Sequence, residues 1–271
     1  MGMSRKRKDA FFASHPACIF CGGLTEATTI EHCPPRAMFQ NRDWPEGFEF
    51  PSCSECNHGS ADHDLIISLL ARTDPFSDRG NADGRLPAII GSVHQKFPKL
   101  ISKMMPSAVK ARDLNRRFGI TPAPGQTNQE AGPVHVTDEM HGAVAVFAGK
   151  LSKAIYYMHI KQVFPSNGRL AMRWFTNADL FTNNGRYPLF DTLQELQGVA
   201  PALSRSKSLL NDQFEYKVSL SDDRELLALQ ARFGFGFGFV VFGTPSGAIL
   251  DQYFTALEER TGKQNPFVML S

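Results

Sequence analysis

Cys18-Ile19-Phe20-Cys21, Thr29-Ile30-Glu31-His32-Cys33-Pro34-Pro35 and Cys53-Ser54-Glu55-Cys56-Asn57 are the three pieces of sequence on which the N-terminal fold turns. The outer two are Cys-x2-Cys pairs separated by 31 residues. A gap of two residues lets both thiolates of a pair face a single ion, and four thiolates complete a tetrahedral zinc shell with no open position. Gly22 and Gly23 follow the first pair, where a tight turn with positive φ is usual. A site closed in this way is structural: it replaces the hydrophobic core that ~60 residues alone can barely supply. Cys18, Cys21, Cys53 and Cys56 are therefore the expected zinc ligands, against the alternative of two unrelated buried cysteine pairs. Cys33 lies outside both pairs and reads as a small buried residue facing the core.

The rest of the chain frames this segment. Its 271 residues allow one large domain, or a small one followed by a larger one. With 42% hydrophobic and 21% charged residues, wholesale disorder and a fibrous architecture are excluded, and 22 Phe supply bulk for a core. No apolar stretch approaches the roughly 18–20 residues that cross a bilayer. Arg5–Lys8 resemble the start of a signal peptide, but no apolar segment follows, so the chain is expected to be cytoplasmic with no membrane partner. Cytoplasmic cysteines in tight pairs point to a metal rather than to disulfides.

Composition separates three zones: 1–72, with all five cysteines; 73–133, a basic connecting region bounded by Pro- and Gly-rich loops; and 134–271, an α+β unit. In the last zone, Val144, Phe147, Leu151, Ile155 and Met158 share one face of a helix expected over Gly142–Lys161. Phe214–Leu220 and Leu226–Phe242 read as strands. In the second, Phe233, Phe235, Phe237 and Phe239 alternate with glycines, so that the rings take one face and bare backbone the other. Either a helix or strand packs closely on the bare face, or a ligand stacks on the phenyl face.

An acidic residue, a histidine and prolines, followed downstream by Cys-x-x-Cys-Asn, resemble the HNH endonuclease family with its ββα-metal fold, over roughly residues 15–72. The resemblance implies an α+β protein: a small N-terminal zinc-stabilised HNH domain followed by a larger α+β domain. It implies that His32 is the general base, since a neutral imidazole with an ordinary pKa near 6.5 can take a proton from water at cellular pH. It implies that Glu31 is a ligand to a divalent cation, Mg²⁺ or Mn²⁺, and that Asn57 binds that metal or orients the base. Neighbouring strand residues point to opposite sides, so Glu31 and His32 serve one site only where the strand ends or bends, which Pro34 and Pro35 favour. The third metal ligand falls among Asp62, His63 and Asp64, with His63 and Asp64 as the two choices, and Ser60 or Asp62 caps the helix that follows. The cation would neutralise phosphate charge and stabilise the leaving oxygen.

Between Arg85 and Ile120 stand eight basic residues and one acidic residue. Lys96, Lys99, Lys103, Lys110, Arg112, Arg116 and Arg117, with Arg5–Lys8, form the positive strip a phosphate backbone prefers, and Lys150, Lys153 and Lys161 extend it. The expected partner is DNA, with RNA as the alternative substrate; residues 134–271 would provide targeting, a homodimer contact or docking to a partner protein. Restriction, phage defence and mobile-element roles all use such a module. The competing reading is a zinc-stabilised module that binds nucleic acid or protein without cutting.

Overall fold

The structure, a computed structural model, describes residues 5–73, 78–132, 134–183, 190, 193–262 and 266–270. Helix α1 (Arg5–Ser14) leads into the first cysteine pair. Strand β1 (Thr29–His32) stops one residue before Pro34 and Pro35, whose nitrogens carry no hydrogen to donate, and the Cys33–Pro34 peptide is cis. Its antiparallel partner β2 (Glu49–Ser52) sets Glu31 opposite Phe50 and His32 opposite Glu49. Helices α2 (Ser54–Gly59) and α3 (Ala61–Ala71) follow at once, and the Cys53 thiol at the head of α2 accepts from the Cys56 amide. Gly22 turns at φ +74° after the first pair, as the sequence leads one to expect; a Cβ there would lie 2.5 Å from the Ser166 amide nitrogen.

The basic stretch folds as three helices, α4 (Leu86–Lys96), α5 (Leu100–Met104) and α6 (Ala108–Phe118), followed by the short α7 (Asn128–Ala131). Helix α8 (Asp138–Ile160) starts four residues earlier than its apolar repeat suggests, because the Thr137 hydroxyl caps it by accepting from the Met140 amide. After β3 (Arg169–Thr176), α9 (Asn177–Thr182) and a small hairpin of β4 (Ser204–Arg205) and β5 (Ser208–Leu209), the chain builds β6 (Glu215–Leu220), β7 (Leu227–Phe233), β8 (Phe237–Thr244), α10 (Ala248–Thr261) and β9 (Val268–Leu270). The main sheet is antiparallel, in the order β6-β7-β8-β3-β9. Helices and sheets in this arrangement make an α+β protein.

The Phe-Gly stretch folds otherwise than the single strand its pattern suggests. Leu226–Phe242 is two strands, β7 and β8, folded back at Gly234–Gly236, with Phe233 opposite Phe237. Period two is kept across the turn. Phe233, Phe237 and Phe239 are fully buried around Phe147 of α8, while Phe235 sits at the tip, 37% exposed. The bare backbone does meet a helix: a Cβ on Gly236 would lie 2.2 Å from the Leu70 carbonyl oxygen of α3.

Helix α8 is the spine. Phe147 packs on the sheet, whereas Lys150, Lys153 and Tyr157 reach the N-terminal segment at Glu31, at the Phe20 carbonyl and at His15. One cluster of buried side chains runs from Cys18 through α3 and α8 to Val241 of β8. None of the described helices is long and apolar enough to cross a membrane.

Candidate active site and metal centre

The ligand atoms of Cys18, Cys21, Cys53 and Cys56 all lie within 4.8 Å of one another. That spacing suits four sulfurs around one ion, so the cluster can hold a metal such as zinc. Two elements bring the pairs together: the turn after Phe20 and the start of α2. Among the described residues, no other group of three or more His, Cys, Asp or Glu side chains converges in this way.

Glu31 and His32, adjacent on β1, have gone separate ways. Glu31 points inward and is 4% exposed. Its Oε1 lies 3.1 Å from Lys150 Nζ, and its Oε2 is buried without a hydrogen-bond partner. Burial pushes the Glu31 carboxyl up to about 7, against the pull of Lys150. Lys150 Nζ also donates to Ser60 Oγ at 2.5 Å, and Ser60 in turn donates to Asp64 Oδ2 at 3.3 Å. Burial raises the Asp64 carboxyl as well. Burial works against the Lys150 charge, but Glu31, Cys33 and Asp64 hold its pKa above the ordinary value. The expectation that Lys150 and Lys153 extend a surface strip is thereby overturned. Lys150 is 9% exposed, and Lys153 donates to the Phe20 carbonyl at 2.9 Å, because α8 faces the N-terminal segment rather than water there. Ser60 stands at the head of α3, but its hydroxyl caps no backbone amide; the Lys150–Asp64 network has claimed it.

His32 lies on the other side of β1, at its end and half-buried. Its Nε2 is 3.4 Å from Glu49 Oε1 across the strand pair, and its ring meets Trp44 edge-on at 4.8 Å between centroids. Burial and then the charge of Arg36 lower its pKa below the ordinary value, so the imidazole is neutral near pH 7. Arg36 and Arg205 both lie over the Trp44 ring, 4.9 and 3.6 Å from its centroid. Asn57 Nδ2 donates to Thr29 Oγ1 at 3.0 Å and to the Ile30 carbonyl at 3.5 Å, tying α2 to the strand that carries His32.

Of the two choices for a third ligand, Asp64 joins the Glu31–Lys150 network, whereas the Nδ1 of His63 is buried without a partner. Cys33 is fully buried, which pushes its thiol well up and keeps it protonated. In the basic stretch, Lys96 pairs with Asp62 at 3.2 Å and Lys103 with Glu139; Lys99 and, on α6, Lys110, Arg112, Arg116 and Arg117 are exposed. Glu49, Trp44, Arg36 and Arg205 escaped the sequence reading. No motif marks them, and only the β1–β2 register and the β4–β5 hairpin bring them to His32.

For a hard cation the donors are right in kind but are not gathered: Lys150 already sits on Glu31, and Glu31, His63 and Asp64 do not converge as a ligand set. Glu31 Oε2 is an orphaned buried oxygen, Asp64 offers a second carboxylate, and Asn57 is anchored at Thr29, two positions before Glu31 on the same side of the strand. Comparison of the chain with protein-family models, with curated proteins and with solved structures returns no significant match.

Proposed function

We propose that the chain is a metal-dependent endonuclease of the HNH type, hydrolysing phosphodiester bonds in DNA with His32 as general base. The observation that carries this reading is the state of His32: a half-buried imidazole with a lowered pKa, ending a strand and rimmed by Arg36 and Arg205. Such a ring can accept a proton from water while the guanidinium groups attract the phosphate. Zinc on Cys18, Cys21, Cys53 and Cys56 would clamp α2 to the first turn and so fix the strand pair that carries His32. Mg²⁺ or Mn²⁺ would take Glu31, Asn57 and Asp64 or His63 only if Glu31 left Lys150 and turned to the His32 side of β1; as folded, the positive charge beside His32 comes from Arg36 and Arg205. The chain's own part is to keep His32 neutral, to tie β1 to α2 through Asn57 and to hold Glu31 in place. A role in restriction or phage defence is in keeping with such an activity.

A second reading has one observation in its favour. Lys150 already neutralises Glu31, as a lysine would in a zinc-stabilised module that grips nucleic acid without cutting. The experiment separating the two is cleavage of supercoiled plasmid and of RNA with Mg²⁺, Mn²⁺ or EDTA, comparing wild type with His32→Ala. The endonuclease reading expects the variant to keep its metal and its melting curve and to lose cutting by at least roughly a hundredfold, the usual contribution of a general base. Equal cutting by both proteins, or none by either with any divalent ion, would end it.

A further inference from the structure

Three guanidinium groups gather where two carboxylates stand, and one of these, Glu46, already accepts from the Ser206 amide. Arg36 and Arg205 lie over Trp44; burial and then the nearby Arg42 lower the Arg36 pKa, although the group stays charged; Glu49 is an acidic neighbour, and its Oε1 is turned to His32. Among the described residues neither Arg36 nor Arg205 forms an ion pair, although both remain partly exposed. Like charges that outnumber their counter-charges raise the free energy of the empty site, and an anion placed between them lowers it. Stacking on indole leaves the edge of each guanidinium, with its N–H donors, free to engage a phosphate.

Arg205 is fixed in this position. It belongs to β4, and the β4–β5 turn passes through positive φ at Ser206 (48°) and Lys207 (70°). The loop before β2 holds the hairpin at two points: the Glu46 amide donates to the Ser204 carbonyl at 3.0 Å, and the Ser206 amide donates to Glu46 Oε1 at 3.0 Å. The C-terminal part of the chain thus delivers a cation to the rim of His32.

We propose that Arg36 and Arg205, stacked on Trp44, bind a backbone phosphate of duplex DNA beside His32, so that the β4–β5 hairpin completes the site. The clamp rests on the endonuclease reading for the nature of its ligand, and its test does not depend on cutting. The full-length protein is titrated with a labelled 20-base-pair DNA duplex, without added divalent cation, at salt from 50 to 200 mM, and in parallel with single-stranded RNA. Each phosphate contact adds about 0.9 to the slope of log affinity against log salt. Arg205→Gln is expected to bind DNA roughly tenfold more weakly at the lowest salt and to lose about one unit of slope, with unchanged melting. Arg205→Lys should restore the slope, since the charge returns. Should Arg205→Gln fold poorly, Arg36→Gln, outside the hairpin, carries the same expectation.

Wild-type affinity and slope in both glutamine variants would overturn the clamp, as would a wild-type protein that binds no DNA. Arg205-dependent binding of RNA alone would overturn the choice of DNA. Slope lost in Arg205→Gln with no cutting by wild type leaves the clamp standing and the endonuclease fallen; His32-dependent cutting that Arg205→Gln performs at wild-type kcat/KM does the reverse.

Discussion

Glu31 and His32 differ by one position and by a complete change of surroundings. Strand alternation turns the first towards α8 and the second towards Trp44, so the carboxylate ends buried on an ammonium and the imidazole ends at the rim. The consequence for Glu31 is a pH dependence with a definite sign. Its folded pKa of about 7 lies above the roughly 4.3 of an unfolded glutamate. Folding therefore takes up a proton between those values; the contribution is fully present below pH ~4 and is lost as pH rises through 7. Denaturation by urea from pH 5 to 8 should show wild type losing up to ~1 kcal/mol per pH unit relative to Glu31→Gln, which does not titrate. A constant difference across that range would mean that Glu31 stays ionised in the fold. At this scale the sequence was legible where chemistry is local: four cysteines at fixed spacing, and a glycine after the first pair. It was illegible where chemistry is delivered from afar, since nothing beside Glu31 announces Lys150 and nothing beside His32 announces Arg205.

At the scale of elements, Arg72 decides how the loop after His32 is held. It follows the last residue of α3 and is 2% exposed. Its guanidinium donates to the carbonyls of Ala37, Phe39 and Gly80 and to both oxygens of Asp83, at 2.8 and 3.1 Å. Desolvation opposes ionisation of Asp83, but Arg72 holds its pKa down to about 2. Through Ala37 and Phe39 this ion pair anchors the segment that carries Arg36. Arg72→Met should cost about 3–5 kcal/mol, because it leaves a buried carboxylate unpaired; the double variant Arg72→Met, Asp83→Leu should recover a large part of that in the same urea titration. An Arg72→Met protein as stable as wild type would show that the pair contributes nothing net. No sequence pattern distinguishes this arginine from a solvated residue at a helix end, for its partners come from two loops. The Phe-Gly repeat failed for a different reason: period two is satisfied equally by one long strand and by two strands folded at Gly234–Gly236, and the choice is made by α3, whose last turn abuts Gly236. The α8 repeat, by contrast, was legible, because a long helix with one apolar face against a sheet needs no distant information.

For the whole molecule, the question is whether the four-cysteine cluster stabilises its own segment or the entire chain. The buried core runs from Cys18 across α3 and α8 to the main sheet, and Phe20, between the first two cysteines, accepts from Lys153 at its carbonyl and lies under Lys150 with its ring. Metal binding that is coupled to folding is worth ~10 kcal/mol or more in small zinc modules, comparable to the full stability of a domain. If the core transmits that energy, Cys53→Ser should lower the melting of both halves together, by ~10 °C or more. The chain carries its own reporters: Trp44 packs on His32, and Trp174, in β3, donates to His141 of α8. Replacing each in turn by Phe gives two single-tryptophan proteins whose fluorescence follows one half apiece. Coincident transitions that fall together in the Cys53→Ser background fit one cooperative unit. A Trp44 transition that falls alone would make the metal segment an independent domain resting on the sheet. Unchanged melting with unchanged metal content in Cys53→Ser would remove the cluster from the account of stability altogether.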